Sequence, residues 1–222
     1  MQGKVRHARQ GLPQRPCGAP PNKEGIDNES YDPRGRQGRQ GRQKNDTPFL
    51  TDVQTLRKRA RQHIDEGAVT SNYAADPALV CKVLNEALAT EIVCVLRYTR
   101  HYFMAEGIHS ESVKAEFLAH SKEEQEHADN IAERIVQLGG EPDLNPEILA
   151  GRSHSQYVEG KTLRDMILED LVAERVAIES YREMIAWIGD KDPTTRKMLE
   201  WIMGVEEEHA DDMSSLLKGV GG

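Results

Sequence analysis

Four long segments with helical periodicity fill residues 77–217, and the lengths of their connections limit how they can pack. We predict helix A over residues 77–106, helix B over 110–138, helix C over 162–188 and helix D over 193–217. Asp76-Pro77 is a typical helix start and Gly139-Gly140 a typical end. The short A–B and C–D connections make antiparallel neighbours, whereas the long B–C connection, predicted as a loop with two prolines, can cross the bundle. The pattern therefore predicts an all-α, antiparallel four-helix bundle with a long B–C crossover.

The first 48 residues differ from the rest in composition. They hold ten Lys or Arg against five Asp or Glu, whereas residues 49–222 hold nineteen against thirty-two. They include the repeat RGRQGRQGRQ and almost no large apolar residues, so burial cannot offset the entropy of ordering. We predict a disordered basic tail over 1–48, a short helix and linker over 49–76, and the bundle over 77–218. The short helix is predicted from Thr51 to about Gly67, with Thr51 or Asp52 as its cap.

Localisation signals are missing from the sequence. No apolar run approaches the roughly 20 residues that span a bilayer, and the start has no apolar segment of a secretory signal. Cys17, Cys81 and Cys94 form no CxxC pair and no disulfide framework. We expect a cytoplasmic protein without a membrane partner.

Two nearly identical hexapeptides, EQEHAD at 124–129 and EEEHAD at 206–211, each contain Glu-x-x-His. The spacing alone is weak, and a third match, Glu106 to His109, straddles Gly107 at the predicted A–B turn and is interpreted as a coincidence. The other two matches are stronger evidence of a site because of where they lie on their helices. The apolar stripes of helices B and D continue through them, and the stripe positions include Glu124, His127, Glu206 and His209.

Helices A and C each add one acid to this inward-facing set. Glu91 interrupts ALATEIVCVLRY and Glu174 interrupts DLVAERVAIESY. Buried carboxylates are costly unless they are paired, protonated or bound to a cation, and two divalent metals would relieve the repulsion between four of them. Oxygen ligands with some imidazole suit iron(II) or manganese(II). The predicted metal ligands are Glu91, Glu124, His127, Glu174, Glu206 and His209.

Two alternatives stay open at this point. The acids could instead be satisfied by Arg97, Arg175 or water in a metal-free bundle. Tyr98 and Tyr181, two turns beyond the helix A and helix C acids, could orient ligand carboxylates or serve as core aromatics.

Residues near the predicted ligands are interpreted as supporting, core or surface residues. His120 is either part of an iron access path or a partly buried helix histidine, and Cys94 is interpreted as a small core residue. Four glutamates fall off the stripes and are expected to face solvent: Glu123, Glu126, Glu207 and Glu208.

Residues 77–217 resemble the bacterioferritin and ferritin-like superfamily, through LNEALATEIVCVLRY, EEQEHADNIAERIVQLGG, DLVAERVAIESYREMI and VEEEHADDM. The six-residue set matches the arrangement known for ferritin-like di-iron proteins. The resemblance implies that Glu91 and Glu174 each cap one metal, that Glu124 and Glu206 bridge the two metals, and that each histidine binds one. It also implies two iron ions per subunit, ferroxidase activity with O2 or H2O2, and iron storage in a hollow shell.

Three departures from the family pattern shape these expectations. Gln125 follows the helix B acid where bacterioferritins place a haem-binding methionine, so haem is not expected. No fifth helix follows helix D, which favours a shell of 12 subunits over 24, as in the DNA-protecting Dps cages. The classical Dps site lies between subunits, whereas this sequence supplies a full set within one subunit. Rubrerythrin, another relative, would bring a CxxC iron module, and the sequence has none.

The basic tail and the metal set leave two other functions open. Residues 1–48 could bind DNA phosphates without sequence preference, as in a Dps-like DNA-protecting protein. The two-metal site could also serve a di-iron or di-manganese peroxidase that stores no mineral.

Overall fold

The computed structural model describes residues 51–108 and 110–220, and within those ranges the regular elements are all helices. The helices are α1 (Val53–Arg59), α2 (Pro77–Met104), α3 (Ser110–Gln137), α4 (Pro146–Arg152), α5 (Leu163–Ile188) and α6 (Pro193–Val220), with a 3-10 turn at Ile64–Glu66. Helices α2, α3, α5 and α6 correspond to predicted helices A, B, C and D. The all-α prediction is confirmed. The predicted tail over 1–48 and His109 lie outside the described residues.

Local chemistry explains where the long helices begin and end. Asp76 accepts hydrogen bonds from the backbone N–H groups of Ala78 and Leu79, and Pro77 occupies the first turn of α2. At the end of α3 the N–H of Gly140 bonds to the carbonyl of Ile135, and Gly139 has φ +79°. This is a Schellman ending, which requires a residue that adopts positive φ at low cost.

The structure corrects the predicted elements in two places. The predicted helix over 51–67 is shorter, because α1 ends at Arg59 and only the 3-10 turn follows. Asp52, and not Thr51, is the cap of α1. The B–C connection, predicted as a loop, contains α4, which begins at Pro146 after an Asn145 cap.

Contacts between the helices run in opposite residue order, so neighbouring helices are antiparallel. Helix α2 packs mainly on α3, and α5 mainly on α6, while α4 packs on α2. Between α2 and α5, Tyr98 contacts Glu174 and Glu91 contacts Tyr181. A later residue of one helix thus meets an earlier residue of the other, and the four long helices form the antiparallel bundle.

Two apolar clusters fill the bundle and leave a polar layer between them. One cluster includes Leu84, Ile131 and Leu199, and the other includes Phe117 and Met213. The four helix acids at positions 91, 124, 174 and 206 fall between these clusters along their helices. The apolar packing keeps water out of this layer, so an unpaired charge there would cost free energy.

The B–C connection is anchored by a buried ion cluster. Arg97 donates to Asp170 with Nε to Oδ1 at 2.7 Å, and His101 Nδ1 lies 2.8 Å from Asp170 Oδ2. Arg97 also donates to the carbonyl of Gln156 in the connection. All three ionisable side chains are fully buried.

No described helix is long and apolar enough to cross a bilayer.

Candidate metal centre

The six predicted ligand residues meet in the polar layer of the bundle. Each is at most 2% exposed, and each of the four long helices contributes one carboxylate, while α3 and α6 also contribute one imidazole. Helical spacing explains the pairs, because residues three apart lie on the same face of a helix. The residues brought together are Glu91, Glu124, His127, Glu174, Glu206 and His209.

The cluster divides into two overlapping halves that share two acids. In one half, His127 Nδ1 lies 2.9 Å from Glu206 Oε1, 3.2 Å from Glu91 Oε2 and 3.7 Å from Glu124 Oε2. In the other, His209 Nδ1 lies 3.5 Å from Glu124 Oε1 and 3.8 Å from Glu206 Oε2. The same nitrogen lies 4.0 Å from Glu174 Oε2. Each half therefore offers one imidazole nitrogen and three carboxylate oxygens, with Glu124 and Glu206 common to both.

Hydrogen bonding leaves part of this cluster unsatisfied. Buried atoms without a hydrogen-bond partner include both carboxylate oxygens of Glu124, both of Glu206, Glu174 Oε2 and His209 Nδ1. The contact between His127 and Glu206 is short but lacks the alignment of a hydrogen bond. Buried polar atoms without partners cost free energy, and so many at one point indicate a ligand. Hard oxygen atoms with one imidazole per half fit two divalent ions such as Fe(II) or Mn(II).

Electrostatics support the same interpretation. Burial, and then the charges of Glu124 and Glu206, raise the pKa of Glu91 and of Glu174 well above the usual range. Burial alone lowers the pKa of His127, but the close carboxylates of Glu124, Glu206 and Glu91 favour the protonated ring, outweigh burial and raise the pKa to about 12. Contacts with Glu124 and Glu206 likewise outweigh burial and raise the pKa of His209 to about 10. Without a metal the cluster balances its charge by holding protons, which divalent ions can replace.

The two tyrosines bind the ligand acids crosswise. The hydroxyl of Tyr98 on α2 donates to Glu174 on α5, and that of Tyr181 on α5 donates to Glu91 on α2. Burial, followed by the neighbouring carboxylate charge, raises the pKa of both hydroxyls well above the usual range, so both remain donors. Each tyrosine is thus positioned to fix the acid of the opposite helix.

The arginines considered as partners in a metal-free bundle do not satisfy the acids. Arg97 is fully buried but forms its ion pair with Asp170, and Arg175 lies exposed on α5. Gln125, in the position of the haem-binding methionine, is exposed and donates to Asp129. Cys94 is buried beside Arg97.

Comparison with a family model and with similar proteins identifies the family of this chain. The model of the ferritin-like domain matches residues 81–220. This chain belongs to the ferritin-like domain family. The ferritin-like chain is 31% identical to bacterioferritin BfrA of Mycobacterium tuberculosis over 140 residues, covering 63% of this chain and 84% of that protein. It is also 31% identical to a nutrient stress-induced DNA-binding protein of Nostoc sp. over 173 residues, covering 76% of this chain and 92% of that one.

Solved structures give the same family assignment. A dodecameric thioferritin, the bacterioferritin-related protein of Bacteroides fragilis, superposes with a TM-score of 0.64 at 30% identity. That match covers 66% of this chain and 89% of the other. The Desulfovibrio desulfuricans bacterioferritin, solved with its di-iron site in different catalytic states, superposes with a TM-score of 0.58 at 25% identity. It covers 65% of this chain and 81% of that one.

Sequence periodicity missed two features near the candidate centre of this ferritin-like chain. Glu123, expected on a solvated face, is half-exposed, but its Oε2 lies 2.8 Å from His209 Nε2. This contact joins α3 to α6, so periodicity within one helix gives no signal for it. Asp170, which anchors Arg97, was also missed, although it lies one turn before Glu174 on the same face of α5. Glu126, Glu207 and Glu208 are exposed as expected.

Proposed function

We propose that this protein is a ferroxidase that oxidises Fe(II) at a two-metal site within each subunit and stores the ferric product in a hollow shell. One observation carries the proposal: two overlapping sets of one imidazole and three carboxylates meet in a buried layer where polar atoms lack partners. The similarity to bacterioferritins, including one solved with a di-iron site, supports it.

The side chains have separate roles in this proposal. One iron is held by Glu91 and His127, and the other by Glu174 and His209. Both irons can share Glu124 and Glu206, which belong to both groups. Tyr98 and Tyr181 keep Glu174 and Glu91 in place. Iron held side by side can deliver two electrons to a single oxidant. Two Fe(II) become two Fe(III), while O2 with two protons becomes H2O2, or H2O2 with two protons becomes two waters.

Iron(II) titration without oxygen, followed by oxygen or peroxide, tests this proposal. We expect two irons per subunit to be oxidised rapidly and a ferric core to follow. Glu124→Ala and Glu206→Ala should slow the fast phase at least about tenfold, because each removes an acid that serves both halves. Glu207→Ala is the matched control, since Glu207 adjoins Glu206 but is exposed.

The same titration separates the alternatives. Equally slow oxidation by wild type and the Glu124→Ala and Glu206→Ala variants would refute the ferroxidase proposal. Rapid reduction of peroxide without retained ferric mineral would instead support a peroxidase that uses the same residues. Replacement of iron by manganese(II) in that assay identifies which metal supports turnover.

Assembly into a shell of 12 subunits is part of the proposal. Several large apolar side chains are exposed on the isolated chain, among them Phe103 at 72% and Ile108 at 95%. Packing of such side chains against another subunit would remove apolar surface from water, which favours association. The dodecameric thioferritin supports the number twelve, and a 24-subunit shell is the alternative that a native mass measurement distinguishes.

DNA binding by residues 1–48 is a second candidate function. Ten basic residues in this segment, repeated around a shell, could neutralise many phosphates, and a nutrient stress-induced DNA-binding protein is among the similar chains. Full-length protein and a variant with Arg34, Arg36, Arg39 and Arg42 replaced by Gln are compared in DNA gel shifts. We expect weaker retardation by the variant and loss of both shifts at high salt. Equal retardation would refute the tail's role.

A further inference from the structure

Helix α1 presents an apolar face to solvent. None of its seven residues is buried. Val53 and Leu56 lie three residues apart, and therefore on one face of the helix, with 58% and 44% of their surface exposed. A helix this short is marginal in water unless its apolar face packs against another element. The described part of one chain leaves this face open, so the partner that would stabilise α1 lies outside it.

The same segment carries a dense positive charge. Arg57, Lys58 and Arg59 form the last turn of α1, and Arg61 follows it. Basic side chains suit the C-terminal end of a helix, but four of them within five residues repel one another. Carboxylates on a facing surface would relieve that repulsion. The surface that fits α1 therefore combines apolar side chains with acids.

A groove of this composition runs along the exposed side of α5. Two cavities of about 420 and 490 Å³ share Ser180 and Glu183 in their linings, so together they form one groove, the α5 groove. Its apolar lining consists of Val83, Val172, Val176, Met184 and Trp187. Its ionisable lining consists of Glu86, Glu179 and Glu183 with Arg175 and His154. Acids thus outnumber the arginine three to one, which makes the groove complementary in charge to α1.

Length also matches between α1 and the α5 groove. Fifteen residues separate Val172 from Trp187, which is about 22 Å of helix. Helix α1 is about 10 Å long, so the groove accommodates all of it. Contact of Val53 and Leu56 with the half-exposed Val172 would remove apolar surface on both sides from water. Within the described part of a single chain both surfaces stay open, so the occupant of the groove is another copy.

We propose that α1 of one subunit docks in the α5 groove of a second copy of this chain. Val53 and Leu56 face the valines of the groove, and the basic last turn lies beside Glu179 and Glu183. None of the residues of α1 or of the groove is a candidate metal ligand, so this contact is independent of the proposed iron chemistry. Helix α1 thereby fastens the segment before the bundle to a neighbouring subunit.

Cysteine cross-linking of full-length chains tests the contact. Two chains, one lengthened by a tag, are co-expressed with Cys17→Ser, because Cys81 and Cys94 are already buried. One chain carries Leu56→Cys, and the other carries Val172→Cys, Val176→Cys or Ser180→Cys in turn. These three positions lie about 6 Å apart along α5, so they sample the groove at steps that a disulfide can bridge.

We expect a disulfide between the tagged and untagged chains with at least one of the three groove positions. Val136→Cys, on α3 and 59% exposed, is the matched control and should give none. Heterodimers that are missing at all three groove positions, or no more abundant than with the control, would overturn the proposal.

A chain that carries both Leu56→Cys and the groove cysteine shows whose groove is filled. Docking on a second copy joins two chains, and dilution with an excess of Cys17→Ser chains should reduce the yield of double-variant chains linked to each other. A disulfide closed within one chain, with a yield that dilution leaves unchanged, would overturn docking on a second copy.

Trypsin cleavage within residues 57–61 measures docking without introduced cysteines. Glu179→Gln/Glu183→Gln removes two of the three groove acids, so we expect cleavage about fivefold faster than in wild type at low salt, with iron oxidation unchanged. Glu141→Gln/Glu147→Gln, on exposed acids outside the groove, is the control. Equal cleavage in all three proteins would refute the groove's role. Protection that appears only on addition of duplex DNA would overturn the proposal and assign α1 to DNA.

Discussion

At the residue scale, Tyr98 and Tyr181 show how the bundle holds in place two carboxylates whose burial costs free energy. Glu91 and Glu174 sit on helices that carry no imidazole ligand, and each is bound by the tyrosine of the opposite helix. The same two hydrogen bonds tie α2 to α5 at the level of the candidate centre. One pair of contacts therefore serves packing and would also orient the two acids toward a bound metal.

Tyr98→Phe and Tyr181→Phe test this orientation. Phenylalanine keeps the ring in the core but leaves the acid free to turn, so we expect metal affinity and the fast phase of iron oxidation to fall about tenfold in each variant. Dialysis with Co(II) and rapid-mixing absorbance measure the two effects. Tyr157→Phe, on an exposed tyrosine, is the control. Wild-type affinity and rate in Tyr98→Phe and Tyr181→Phe would show that the hydroxyls serve packing only.

The six candidate ligands were predictable because each interrupts an apolar stripe within its own helix. A carboxylate on a core face is visible in sequence whatever its partners. The Glu123 contact was not predictable, because it depends on the rotation of α6 against α3. The same holds for the stacking of His120 on His209, which requires two helices in register.

At the element scale, Asp192 joins three parts of the chain. It accepts hydrogen bonds from the N–H of Thr195 in the first turn of α6, from Arg134 on α3 and from the Tyr73 hydroxyl in the linker. Burial opposes ionisation of Asp192, but these hydrogen bonds, led by that from Thr195, outweigh it and lower its pKa to about 2. The ionised form therefore stabilises the fold.

Stability should depend on this carboxylate in a defined pH range. A depressed folded-state pKa contributes stability that is present above the usual value of about 3.9 and lost as pH falls through about 2. We expect Asp192→Asn to lower the free energy of unfolding by about 2 kcal/mol at pH 7, with the difference shrinking toward pH 2.

Thermal unfolding at fixed protein concentration measures this difference. Asp190→Asn is the matched control, because Asp190 lies two residues away with its side chain 98% exposed. A difference between wild type and Asp192→Asn that is equally large at both pH values would contradict the account.

The long helices were predictable to within a few residues because short local sequences signal their ends, as Asp76-Pro77 and Gly139-Gly140 do. Helix α4 was not predicted. It has seven residues, too few to display a periodic stripe, although Asn145-Pro146 carries its start signal. Its packing on α2 stabilises it, and that contact becomes visible only in three dimensions.

At the scale of the whole molecule, the proposed functions separate along the chain. All six candidate ligands lie between residues 91 and 209, within the bundle. The basic residues proposed to bind DNA lie before residue 49. The helices of one chain favour 12 subunits only through the resemblance to Dps cages, because shell size itself depends on how exposed side chains of separate subunits fit together.

A chain beginning at Thr51 tests this separation. We expect it to assemble to the same number of subunits and to oxidise iron at the wild-type rate, while losing retention by DNA. Sedimentation velocity and the iron oxidation assay measure the first two properties. Loss of assembly in the shortened chain would show that residues 1–50 belong to the structural unit.

The central claim is that two metal ions bind within one subunit, between Glu124 and Glu206. Anomalous diffraction from crystals grown with Co(II) measures this directly. The account predicts two strong peaks per subunit at the level of these acids, one beside His127 Nδ1 and the other beside His209 Nδ1, and their loss in Glu124→Ala. Strong peaks only between subunits, or none among the six side chains, would contradict it.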